Sequence, residues 1–74
     1  MSQTSRTQDL AELSRIEAHI LQSELAVTRQ QVRIDSLERA GNDSSLSRSV
    51  LKNFRTALGL QYAYRARAQR QLRH

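Results

Sequence analysis

Apolar residues recur along the first half of the chain at alternating steps of three and four: Leu13, Ile16, Ile20, Val27, Ile34 and Leu37. This is the a/d spacing of a heptad, and it predicts an amphipathic helix whose apolar edge meets another helix. Ser23 and Gln30 interrupt it. The pattern resumes with Leu51, Phe54, Leu58, Ala68 and Leu72, interrupted at Gln61 and Arg65. Between the two runs lies the one strong breaker, Ala40-Gly41-Asn42-Asp43-Ser44. Gly41 suits the left-handed position just past a helix end, and Asp43 or Ser44 can cap the next helix with a side-chain oxygen. The expected elements are helix 1 over about 7–40, a turn at 41–43 and helix 2 over about 44–72. A loop this short turns the second helix back along the first.

Folding about Gly41 pairs positions whose numbers sum to about 85. Leu37 then meets Ser47 and Val50, Ile34 meets Leu51, Val27 meets Leu58, Ile16 meets Ala68 and Leu13 meets Leu72. The polar interruptions coincide too, because Ser23 lands opposite Gln61. Defects in the two runs align only if the runs touch. In an antiparallel pair the e positions face one another, which sets Glu38 near Arg48 and Glu24 near Tyr62. Gly59, inside helix 2, either permits a close helix contact or is a tolerated weakness costing about 1 kcal/mol relative to alanine.

Several large apolar residues fall off this seam: Leu10, Leu21, Leu25, Val32, Leu46, Val50, Leu60 and Tyr64. A two-helix hairpin cannot cover them all. A chain of 74 residues also buries little surface on its own, so association is expected. Leu10, Val50 and Tyr64, with the small pair Ala26/Ala57, form the expected association surface, and a homodimeric four-helix bundle is the simplest closed arrangement.

Composition narrows the class. Cysteine, proline and tryptophan are absent, which removes disulfides and thiolate metal sites and fits a reducing compartment. No apolar run reaches the roughly 20 residues of a membrane span, and the polar start, Met1 to Gln8, does not resemble a signal peptide. A cytoplasmic protein without membrane contact is expected.

The formal net charge of +5 is unevenly divided. All seven acids lie in residues 1–43 with five arginines, whereas residues 44–74 carry Lys52 and six arginines and no acid. Half of the molecule is a cationic rod, open to an acidic partner or a polyanion. Within it, Arg65, Arg67, Arg70 and Arg73 are the candidate contacts to nucleic acid or an acidic partner, with Tyr62 or Tyr64 available to stack on bases. Arg65 and Arg67 point to different faces, and arginines near a helix C-terminus also complement its dipole.

No catalytic, cofactor or metal site is expected. His19 flanks the seam near Tyr64, but the other histidine is the terminal His74, and Glu12 and Glu17 stand at no ligand interval. Packed helices offer neither a deep pocket nor a glycine-rich phosphate loop, so an enzyme is not expected.

The residues His19-Ile20, Glu24, Val27, Arg29-Gln30, Ile34, Leu37-Glu38, Gly41, Asp43, Val50-Leu51, Phe54, Leu58 and Arg65 resemble a group of short alphaproteobacterial helical-hairpin proteins of unknown function. That group has an isoleucine-rich first helix, a Gly-His-Asp-Thr loop and a second helix with Leu-x-x-(Leu/Phe)-x-x-x-Leu ending near a His-Arg pair. The likeness covers residues 19–67 and departs at Asn42, Ser44 and Tyr64. It implies the hairpin fold and carries no activity with it. Two functions remain: a protein-binding module or regulator, and, as the alternative, an RNA- or DNA-binding hairpin.

Overall fold

In the computed structural model the chain is an all-α hairpin of two helices, α1 (Gln3–Arg39) and α2 (Ser45–Arg73), packed side by side. Residues 3–73 are described, side chains from residue 5; Met1, Ser2 and His74, which belong to the expected domain of residues 1–74, lie outside them. The Cα trace of the hairpin spans 60 × 14 × 14 Å, a thin rod. The first helix starts four residues earlier than expected, because nothing before Thr7 breaks it.

The reversal follows from backbone bonding. The N–H of Asn42 reaches the carbonyl of Leu37 at 2.8 Å and that of Gly41 reaches Glu38 at 3.1 Å. These are the two bonds of a Schellman motif, which requires a left-handed residue, and Gly41 supplies it with φ +75°. The chain enters α2 through Asp43, whose carboxylate accepts from the Ser45 N–H at 2.9 Å and the Ser45 hydroxyl at 2.6 Å. Asp43 is therefore the side-chain cap. Ser44, the other candidate, turns its hydroxyl instead to Glu38 at 2.8 Å.

The seam is the expected one. Ile20, Ile34, Leu51, Leu58 and Ala68 are buried, Ile34 to 1 % exposure, and Leu13, Ile16, Val27, Leu37, Phe54 and Leu72 are half-buried beside them. The interruptions Ser23, Gln30, Gln61 and Arg65 are half-buried too, so the polar positions sit on the same line as the apolar ones. Gln30 shows how they are tolerated: its amide donates to the carbonyl of Ser47 at 3.1 Å. Among the described residues no buried side-chain nitrogen or oxygen lacks a partner. At the open end Arg6 donates to the carbonyl of Leu72 at 3.3 Å. Gly59 has open space where a Cβ would stand, so it mediates no close helix contact.

Candidate functional site

The two flanks of the seam differ. Along one, three side-chain bonds repeat at heptad intervals: Arg48 to Glu38, Arg55 to Gln31 and Tyr62 to Glu24. Seven residues forward in α2 match seven residues back in α1, which is the signature of facing e positions in an antiparallel pair. The Glu38–Arg48 and Glu24–Tyr62 pairs are those the spacing predicts, and they hold the helices within one residue of the expected register. Arg48 donates to Glu38 through Nε at 3.0 Å and again through Nη2. Those bonds, with that from Ser44, hold the Glu38 carboxyl below its usual range, and the bonds from Ser45 do the same for Asp43. The Tyr62 hydroxyl donates to Glu24 at 2.6 Å, which pushes its ionisation upward. The guanidinium of Arg65 stands over the Tyr62 ring, 5.2 Å from its centre.

On the other flank lie Ala26, Val50, Ala57 and Tyr64. The expected association surface is thus divided: Val50 and Tyr64 share this flank, while Leu10, one heptad before Glu17, falls on the flank of the ladder. Leu46 and Leu60 extend Val50, Ala57 and Tyr64 into a stripe along α2 at steps of three and four, interrupted at Asn53. Leu46 is 80 % exposed and Leu60 and Tyr64 about half exposed. Near the open end Tyr64 borders a shallow groove of about 380 Å³ with Glu12, Ile16, Arg67, Ala68 and Gln71.

The arginine cluster is likewise split. Arg65 is half-buried at a seam position and engaged with Tyr62, whereas Arg67, Arg70 and Arg73 are exposed and follow one another at steps of three across the back of α2. A second cationic concavity, formed by Arg48, Leu51, Lys52, Arg55 and Thr56, was not singled out by the sequence reasoning. Its signal was present: residues 48, 52 and 55 are cations at helical spacing.

A further surface is on α1. Leu21, Leu25 and Val32 are exposed, and with Ala11, Ser14, Ala18 and Thr28 they complete a second heptad line on the side of α1 facing away from α2. Counting along the chain puts Leu21, Leu25 and Val32 off the seam, and the same heptad count aligns them on one side of α1.

Among the described residues no group of three or more His, Cys, Asp or Glu side chains could hold a metal ion, and no helix is long and apolar enough to cross a membrane. His19 is exposed on the flank opposite the ladder; His74 lies outside the described residues. Comparison with known proteins found no matching family model, no matching curated protein and no matching solved structure. The fold and its surfaces define the class: an antiparallel α-helical hairpin with exposed apolar stripes.

Proposed function

We propose that the chain is a helical interaction module, in which the α2 stripe of Leu46, Val50, Ala57, Leu60 and Tyr64 receives an acidic amphipathic helix of another protein. One observation carries this reading: an exposed apolar stripe lies on a segment, residues 44–74, that has seven basic residues and no acid. An apolar line gives a partner helix its anchors at i, i+3, i+4 and i+7, and the surrounding cations select the sign of its borders. Arg67 and Arg70 adjoin the stripe on α2, and Arg33 of α1 flanks the same side, with Glu12 at the Tyr64 end. A cytoplasmic bacterial setting belongs to the same proposal and rests on the cysteine-free composition and the resemblance in residues 19–67.

Titration of a synthetic Leu/Glu-rich amphipathic helix, followed by fluorescence anisotropy, tests it. Binding should exceed that of a Leu/Lys-rich control and drop at least tenfold in Leu60→Asp, with helicity retained. Equal binding of the two peptides, or an unaffected Leu60→Asp, overturns the reading.

Nucleic-acid binding is the second reading, favoured by the Arg48–Lys52–Arg55 concavity and the Arg67–Arg70–Arg73 ridge on the same helix. A gel shift at two salt concentrations addresses it, since phosphate contacts weaken steeply with salt. Loss of the shift in Arg67→Ala/Arg70→Ala supports it, and no shift at low salt removes it.

A further inference from the structure

We infer that the outer stripe of α1 is a second coiled-coil seam, and that its occupant is α1 of a second copy of this chain running parallel to the first. The stripe has the two alternating lines such a seam needs. Ala11, Ala18, Leu25 and Val32 make one line, and Ser14, Leu21 and Thr28 make the other. All seven side chains are exposed in the hairpin, because α2 covers the opposite side of α1. The line ends where Asp35 and Arg39 take the next seam positions.

The borders decide the occupant and its direction. Arg15, Gln22 and Arg29 follow one edge of the stripe; Glu17, Glu24 and Gln31 follow the other. In a parallel pair each border residue of the acidic edge faces, five residues on, the basic edge of the partner helix. Glu24 then meets Arg29 of the second copy, twice by symmetry, and Glu17 meets Gln22. An antiparallel pair centred between Leu21 and Leu25 sets Glu24 against itself and Arg15 against Arg29, so like charges meet on both borders. The α2 stripe lacks this self-complementarity: Arg33, Arg67 and Arg70 beside it outnumber the one acid there, Glu12, so a second copy meets mostly like charge.

This arrangement joins the hairpins back to back, α1 against α1, instead of closing a square four-helix bundle, and it leaves the α2 stripe open. Residues 11–32 span about 30 Å of helix, which is contact enough for a specific pair at the low end of interface sizes. The small residues along it make the dimer reversible.

Sedimentation equilibrium across micromolar concentrations should show monomer and dimer exchanging. Leu25→Glu should weaken the dimer at least tenfold while the helical circular-dichroism signal stays unchanged, because the side chain faces away from the hairpin seam. The chain has no cysteine, so Thr28→Cys introduces a single thiol. Parallel alignment brings the two copies of that position together and predicts rapid oxidative cross-linking, with Asn53→Cys on α2 as the control. Glu24→Lys and Arg29→Glu chains should each self-associate poorly and pair with one another when mixed. A wild type that stays monomeric, a Leu25→Glu chain that dimerises like wild type, or cross-linking at position 28 no faster than the control overturns the inference. The Leu/Glu-peptide titration repeated on Leu25→Glu separates it from the docking role of α2, which that substitution leaves intact.

Discussion

The two helices supply matching edges to one seam, yet they use the rest of their surface differently. α1 carries six of the seven acids and presents apolar residues on two opposite sides, the hairpin seam and the line through Leu21, Leu25 and Val32. α2 carries no acid, and its exposed leucines, Leu46 and Leu60, extend the Tyr64 flank outward instead of forming a line opposite the seam. A helix whose apolar residues oppose one another has little net amphipathicity even when each side is well ordered. A hydrophobic residue in α1 is therefore not evidence of burial within this hairpin. Ile20 and Leu21 are adjacent in sequence, and one is buried while the other is mostly exposed.

The sharpest way to break that contrast is to place the same charge on each side of α1. Ile34→Asp buries an unpaired carboxylate and should cost about 4 kcal/mol or more, enough to unfold a hairpin with so small a core. Leu58→Asp should act likewise from α2. Val32→Asp, two residues from Ile34 and 61 % exposed, should leave the thermal melt of the monomer nearly unchanged. A seam variant melting like wild type would reject the division into sides.

The two glycines offer a smaller test of opposite sign. Gly41→Ala forces a Cβ into the left-handed region and should destabilise by about 1–2 kcal/mol in a denaturant titration. Gly59→Ala meets open space in a regular helix and should stabilise by about 0.5–1 kcal/mol. Destabilisation at both positions would mean that Gly59 serves a contact.

Acid should act mainly at the turn. Glu38 and Asp43 are held below their usual ionisation ranges, so the stability they contribute is present above the unfolded-state values and is lost as pH falls through the lower folded-state values. The melting temperature should decline below about pH 4, and Glu38→Gln should flatten that decline. An identical acid profile in Glu38→Gln would place the acid sensitivity elsewhere.

The smallest expected change is at the ladder's middle rung. Gln31→Ala removes an exposed bond to Arg55 and should alter stability by no more than about 1 kcal/mol.

Much of the hairpin was legible because heptad spacing is a local property that survives without coordinates. Gly41, the two seam lines and the Glu38–Arg48 and Glu24–Tyr62 pairs all follow from counting along the chain. The surfaces were less legible. Arg65 counts both as a seam interruption and as one more cation beside Arg67, Arg70 and Arg73, and only the fold shows it committed to the Tyr62 ring. Leu10 reads as a companion of Val50 and Tyr64, yet it belongs to the opposite flank. The difference for Leu10 arises because a few residues of displacement along a helix change the direction of a side chain by most of a turn.

By itself the sequence determined that two helices form, where they reverse and which line of residues they share, since periodicity and the turn chemistry of Gly41 and Asp43 are written locally. Only the tertiary structure decided which further polar groups are consumed within the hairpin, as Gln30, Ser44 and Arg55 are, and how far each outward apolar residue stays exposed. Those outcomes depend on the rotation of α1 and α2 about their own axes once packed. Rotation is set by all the seam contacts together and by no single residue.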